Sequence, residues 1–447
     1  MSRSGKEERQ QPPLRQCSEH RNKAYKHTRG GKKKKPRELK WELEETNKSF
    51  YVCSLEHRFN WVAHVVRAIN LSDLFSSSPV DDPVPLRQVA YEAGSHLPGS
   101  VGCGVWGSQI VFTGGVTPCS AYGLCTIDSD SVWSPNVYAF ETRANTDTKK
   151  IRMLEANLKA AKYKPLTVEL AGKLYTLSYE RVIGDDDSPT FEVFDPELGR
   201  WEGLPHPPFF QPRSPYYGDG NFAYAIASTK IFASHENCPV FCFDVAHPNR
   251  DWRMVSTMCQ GGPFPFINEA LVLDLQQGND DQKLMFAYHY QPYRLQVYLM
   301  SLSDNQETIT KIGDLRIPEL PDELGQPQRC QLLHIGGQKA FLVVTEIGRP
   351  DDAVKTCSEL GSHKRHVAVI PFHFEVDMTK VDKDTKNCLT LQFMPLRSFE
   401  YHTNPSTFPD QETTGAFKYC PATDIKYNGL KIAILYRSFA DTRRSCF

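Results

Sequence analysis

Apolar and polar positions alternate with a period near two through most of the chain. The runs are four to eight residues long and are broken by turn formers, which is the pattern of half-buried strands. The clearest stretch is residues 164–205. It opens with Leu166-Thr-Val-Glu-Leu, turns at Ala171-Gly172-Lys173 and continues as Leu174-Tyr175-Thr-Leu. A polar loop spans 184–189. Phe191-Glu-Val-Phe follows, ends at Asp195-Pro196, and Trp201 comes next. These runs predict a small antiparallel meander. One meander cannot bury both of its faces, so neighbours of the same kind are implied.

The rest of the chain supplies them. Residues 101–105, 109–113 and 136–141 form one unit, whose second strand ends at Gly114-Gly115. Residues 222–226, 230–233 and 240–244, carrying Phe232 and Asp244 and followed by Trp252, form another. Further units occupy 270–300, 330–370 and 425–435. An apolar residue just after the second-strand turn marks the register at Ile110, Leu174, Ile231, Leu284, Ala340 and Ile432, giving spacings of 64, 57, 53, 56 and 92 residues. The last interval is too long for one unit and predicts insertions near 349–364 and 404–415. The final unit runs out of chain before a third strand. Phe50-Tyr-Val-Cys-Ser-Leu followed by Trp61 has the missing pattern, so residues 49–62 are expected to complete it. Two local readings stay open. Residues 61–66 suit a strand or a short helix. Residues 149–162 have helical composition but also suit a connector.

Composition adds an arm. Residues 1–40 hold 14 Lys and Arg against 4 Asp and Glu, a net charge of +10. The whole chain carries -1, so residues 41–447 carry -11. The arm is too polar to offset its ordering entropy and is expected to be disordered. Lys32, Lys33, Lys34, Lys35 and Arg37 make it a nuclear-import candidate, or a loose phosphate contact. The thirteen cysteines are scattered, with no apolar leader at the N-terminus, which predicts reduced thiols and a cytoplasmic or nuclear location. No run of eighteen apolar residues predicts a membrane span.

Units of about four strands, repeating near the roughly 50-residue period of kelch blades, resemble the kelch-repeat β-propellers, and are most similar to plant kelch and F-box/kelch-like proteins. The motif carrying the likeness is Gly172, Tyr175, Asp195 and Trp201, with Gly114-Gly115 as the one glycine pair in the expected place. The resemblance implies an all-β, kelch-type β-propeller of six blades over residues 41–447, acting as a protein-binding scaffold and not as an enzyme. Ubiquitin-ligase adaptors of this type carry an F-box helix bundle. No such pattern occurs in residues 1–75, so an adaptor would need a cryptic recruiting segment.

Catalytic and metal patterns along the chain have plain structural readings. A copper radical site would need His and Tyr ligands from several blades; Tyr288-His289-Tyr290 and His402 are the nearest pieces, and strand alternation accounts for them. Cys238-x3-Cys242, and Cys357 with His363 and His366, lack the second ligand pair of a zinc site. No nucleophile elbow, HExxH or phosphate-binding glycine loop occurs, and His235-Glu236 has no second histidine at the required spacing. Asp185, Asp186 and Asp187 read as a solvated loop. No cofactor, metal or specific nucleic acid is expected, and the acidic body disfavours the last. A small-ligand site in a central channel is the alternative to a scaffold. The proline-aromatic run 205–217 offers Phe209, Phe210, Tyr216 and Tyr217 as a contact patch, or as packing between blades.

Overall fold

The computed structural model describes residues 49–58, 61–75, 83–117, 133–142, 150–180, 188–211, 222–256, 258–275, 281–289, 294–303, 307–317, 329–345, 363–377, 380, 388–403 and 430–435. All lie in one unit, Glu42–Phe447, distinct from Met1–Trp41. Lys32, Lys33, Lys34, Lys35, Arg37, Tyr216, Tyr217, the insertion 404–415 and nearly all of 349–364 fall outside the described residues.

In chain order the strands are β1 (Ser49–Arg58), β2 (Trp61–Asn70), β3 (Val84–Pro85) and β4 (Arg87–Gly94), with the short helix α1 (Leu71–Phe75) after β2. Next come β5 (Gly102–Trp106), β6 (Gln109–Thr113), β7 (Val137–Glu141) and β8 (Arg152–Met153), then β9 (Leu166–Leu170), β10 (Lys173–Leu177), β11 (Phe191–Asp195) and β12 (Arg200–Gly203). They are followed by β13 (Phe222–Ala227), β14 (Lys230–His235), β15 (Phe241–Asp244) and β16 (Arg253–Met254), and by β17 (Asn268–Asp274), β18 (Gln282–His289), β19 (Arg294–Ser301) and β20 (Thr308–Arg316). The last are β21 (Arg329–Gly336), β22 (Lys339–Thr345), β23 (His363–Val376), β24 (Leu389–Phe393), β25 (Arg397–Thr403) and β26 (Leu430–Leu435).

Pairing sorts these strands into antiparallel meanders: β5 to β8, β9 to β12, β13 to β16, β17 to β20, and β21-β22-β23-β25 with β24 also on β23. The remaining sheet runs β26-β1-β2-β4 and joins the two ends of the chain. The N-terminal segment was expected to supply a third strand after two from the C-terminus. Instead β26 is the first strand, pairing Phe50 with Ile434, and β1, β2 and β4 supply the rest. An apolar run at a chain end carries no mark of its place in a sheet, so Ile432 was assigned to a second strand when it lies in a first. The other five register residues do lie in second strands and are buried. Residues 61–66 are strand. Residues 150–162 are an extended connector bearing β8, not a helix. Leu154 and Leu158 amides bond to carbonyls of Val137 and Pro135, so tertiary bonding overrides local helix propensity.

Each sheet stacks on the next through a shared apolar layer. Cys53, Val62 and Val66 pack with Ile110, Phe112 and Tyr138; Val111 and Ala139 pack with Leu174 and Trp201. Tyr175, Leu177 and Phe191 pack with Ile231, Phe243 and Trp252, and Phe232 and Cys242 with Met285 and Tyr298. Phe286 and Val297 then meet Leu342, Ile370 and Phe372. Phe341 returns to Phe50 at 5.8 Å between ring centroids, and Arg67 covers the Tyr401 ring at 4.1 Å. The layers therefore follow one another in a cycle, the arrangement of a β-propeller-like fold, with the first strands facing inward. Each fully buried large side chain in these layers contributes about 1.5–3 kcal/mol.

The repeat residues serve this stacking. Asp195 Oδ1 accepts the amides of Glu197 and Leu198 at 2.9 and 3.3 Å, closing the turn after the third strand. Asp244 does the same for Ala246 at 3.0 Å. Trp201 Nε1 donates to Ala156 O and Trp252 Nε1 to Pro205 O, each a carbonyl about 45 residues back that lies at the edge of the preceding sheet. Tyr175 and Phe232 fill the layers between sheets. Gly115 has φ of 104°, and a Cβ there would stand 2.3 Å from Gly99 O, so close backbone approach demands glycine.

Candidate functional site

A cleft of about 330 Å³ opens where the β13–β16 and β17–β20 meanders adjoin. Its floor is Ala223, in β13, whose backbone pairs in parallel with Asn268 of β17. One wall is the end of β14, Ser234 and His235, continuing into the exposed Glu236. The other is an arch, Pro263-Phe264-Pro265-Phe266-Ile267, and His289 at the end of β18 completes it. Proline at every second position cannot continue a ladder, so the arch stands off the sheet. Ser234 Oγ ties it back by accepting the Phe264 amide at 3.1 Å. The Phe264 and Phe266 rings stack at 4.7 Å and bury themselves in the layer below, leaving Ile267 37% exposed.

The backbone at both feet of the arch is unusual. Cys259, Gln260 and Gly261 have φ of 52°, 55° and 80°, and Asn268 has 64°. Left-handed non-glycine residues are held only where surrounding structure over-determines them, and they gather at ligand clamps. Asn268 adopts that region more readily than most residues. Behind the opposite wall His235 is enclosed by Tyr179, Phe209, Phe210 and Phe222, with centroids 5.9, 5.0, 5.4 and 5.3 Å away. The described part of the expected contact patch is thus corrected: Phe209 and Phe210 are 1% and 4% exposed and pack between sheets. A short 3₁₀ turn, Pro208–Phe210, points both rings inward.

One residue along the same strand pair, Tyr224 hydroxyl donates to Glu269 Oε2 at 3.1 Å. Burial and then the Glu269 charge hold the Tyr224 phenol well above its ordinary range, and Cys103 of β5 adds a smaller contribution. Tyr224 and Glu269 thus pair a phenol with a carboxylate across the parallel β13–β17 junction, while Cys103 packs against the layer of Cys53 and Phe112.

The other candidate residues are structural or undescribed. Burial raises the Cys238 thiol and pushes Cys242 up to about 11, the wrong direction for metal-binding thiolates. Among the described residues no three His, Cys, Asp or Glu groups are placed to hold a metal ion. Tyr288 lies against Cys330. Tyr290, Asp185, Asp186, Asp187 and Cys357 are outside the described residues, as are the side chains of His363 and His402. Among the described residues no helix is long and apolar enough to cross a membrane.

Sequence reading noticed His289 and His235-Glu236 without joining them. The missed signal was Gly261-Gly-Pro-Phe-Pro-Phe-Ile-Asn268, an alternating proline-aromatic loop flanked by turn residues.

Fold and site together define an all-β, propeller-like protein with a cleft at the strand ends. The chain belongs to the family described as "Protein of unknown function (DUF1668)", whose model matches residues 55–392. This is the family shown, in place of a kelch or F-box family. No curated protein matches the chain. Among solved structures, "Structure of YjhT" is similar at 12% identity and a TM-score of 0.36, covering 78% of this chain and 98% of that one. The N-terminal domain of Nup159 is similar at 9% and 0.28, over 69% and 75%. A Penicillium chrysogenum alpha-L-arabinanase complexed with arabinobiose is similar at 13% and 0.33, over 59% and 76%. At such values the architecture rests on this chain's own pairings and layers, and no chemistry is carried across.

Proposed function

We propose that this protein is a non-enzymatic, protein-binding scaffold built on a six-bladed, kelch-type propeller, and that the cleft beneath the 263–267 arch belongs to its contact face. The observation that carries this reading is the arch itself. Its rings are anchored in the core, its feet are conformationally constrained, and it presents Ile267 and two prolines to solvent. A preorganised apolar surface of this kind lowers the ordering cost of binding. The repeated Asp195 and Asp244 turns and Trp201 and Trp252 bridges support the kelch-type reading. The basic cluster from Lys32 to Arg37 supports a nuclear as well as cytoplasmic location; an unchanged nuclear fraction after replacing Lys32, Lys33, Lys34 and Lys35 by Ala would remove that part.

The test places a photo-crosslinking amino acid at Ile267, and separately at Leu198, which is 56% exposed in the turn between β11 and β12. A discrete adduct from Ile267 and none from Leu198 is expected in cells. Equal labelling from both, or none from Ile267, would overturn the reading. A second reading, a small-ligand binder using the axis, is favoured by the Tyr224–Glu269 pair. Protection of Tyr224 from nitration by a small-molecule extract would support it. A ubiquitin-ligase adaptor with a recruiting segment in residues 1–75 fails if that segment does not bind the ligase's adaptor subunit in vitro.

A further inference from the structure

Resting on the scaffold reading, we infer that one edge of β25 docks an extended apolar-proline-apolar segment of a partner protein, and that the chain's own residues 84–86 occupy that edge as an autoinhibitory strap. β25 pairs with β23 along its whole length, from His363 opposite Thr403 to Val369 opposite Arg397. Its other edge carries β3, which leaves the connection between α1 and β4 to lie parallel on it. Val84 pairs with Phe399 and Pro85 with Glu400. Leu86 N–H extends the pairing by donating to Glu400 O at 2.7 Å. The neighbours of β3 in the chain, β2 and β4, belong to a different sheet, so a visiting segment fills this edge. The strap is a replaceable occupant. Its ladder spans two residues against the seven of β25, and parallel pairing is the less stable kind. Pro85 is exposed, and Val84 and Leu86 are partly buried, so the strap commits little apolar area. Successive strand residues direct their N–H groups to opposite sides, so the inward bond of Leu86 turns the missing N–H of Pro85 outward, where an edge strand tolerates proline. That proline also stops a further strand from adding to the strap, which leaves displacement as the way in. Strand addition takes affinity from main-chain hydrogen bonds and specificity from side chains at alternate positions. A longer partner segment with the Val-Pro-Leu alternation reproduces the strap's contacts and pairs further along β25. The tether gives the strap a high effective concentration, so the edge stays shielded until such a segment arrives.

The test uses the full-length protein and a fluorescent peptide with Val-Pro-Leu flanked on each side by Thr-Val-Thr, read by anisotropy. Leu86→Pro removes the strap's donor to Glu400 O. Pro85→Gly loosens the strap at an exposed position, so it carries the test if Leu86→Pro does not fold. Both variants are expected to bind the peptide more tightly than the wild type, roughly tenfold for Leu86→Pro. A peptide with N-methylleucine in place of leucine lacks the amide donor and should bind both variants roughly tenfold more weakly than its parent. Equal binding by wild type and variants overturns the inference. So does absence of binding by all three, or an N-methylated peptide as tight as its parent. Dimerisation of the strap variants without peptide binding overturns it too, since the occupant would then be a second copy. If Ile267 still crosslinks a partner while the peptide series is flat, the strand-docking assignment alone is wrong. If Ile267 also gives no adduct, the scaffold reading fails with it.

Discussion

Replacing Glu192 by Leu should damage this protein more than any other single change between its β5–β8 and β9–β12 meanders. Glu192 and Lys162 are both 0% exposed, and Lys162 Nζ donates to Glu192 Oε1 at 2.6 Å. The same carboxylate accepts the amides of Lys159 and Ala160 at 2.7 and 3.0 Å, and Lys162 also donates to Pro189 O at 2.6 Å. One carboxylate thus fastens the irregular connector after β8 to β11. Without it a buried ammonium keeps only Pro189 O, and two amides lose their acceptor. Breaking a buried pair costs about 3–5 kcal/mol. Each orphaned amide adds on the order of 1–3 kcal/mol before relaxation. The expected loss is about 5 kcal/mol, read as a lowered urea midpoint at unchanged slope. Lys162→Met is the informative control. It leaves Glu192 with both amide donors, so it should cost less, by about 1–3 kcal/mol. Burial lowers the Lys162 pKa despite its partner, which is the sign of a charge held at net desolvation cost. The reasoning is refuted if Glu192→Leu costs under about 1 kcal/mol, or if Lys162→Met is the more damaging change.

Two further predictions follow from the repeat geometry. The hydrogen bond from Lys173, at 2.5 Å, holds the Asp195 carboxyl below its ordinary value, with amides of Leu198 and Glu197 adding to it. A folded value below the unfolded one means stability that is present above the unfolded value of 3.8 and is lost as pH falls through the folded one. Asp195→Asn should flatten that acid limb in urea titrations run from about pH 6 down to about pH 2; an unchanged limb would show that the pair is not linked to folding. Gly115→Ala and Gly172→Ala both place a side chain at positive φ, 104° and 76°. Nothing lies within 4 Å of a Cβ at Gly172, so about 1–2 kcal/mol of backbone strain is expected there. At Gly115 the clash with Gly99 O adds to the strain, and the variant should unfold well below Gly172→Ala in a thermal melt. Equal melting temperatures would show that the contact relaxes freely.

Most of the architecture was legible in the amino-acid order because strand alternation and turn chemistry are local. Leu166 to Leu170, Gly172 and Phe191 to Asp195 specify a meander through period and turn geometry alone. Copies of that pattern imply stacking, since no single copy can bury both faces. Trp201 and Trp252 read as repeat marks from their fixed place after the third strand, while their bonds to Ala156 O and Pro205 O are set by the fold. What sequence could not determine depends on separations of tens to hundreds of residues. Whether β26 is a first or a second strand is decided by its pairing with Phe50, almost four hundred residues away. Phe209 and Phe210 look like a contact patch in a proline-rich run, but the layer between two sheets takes both rings. Lys162 ends a helix-like segment, and only the fold shows that it meets Glu192 in the interior. The cleft is of the same kind. His235, His289 and the 263–267 arch are each unremarkable alone, and the parallel pairing of β13 with β17 makes them one site. Local propensity set the units, and the packing of units against one another set the order of closure, the buried charge pair and the cleft.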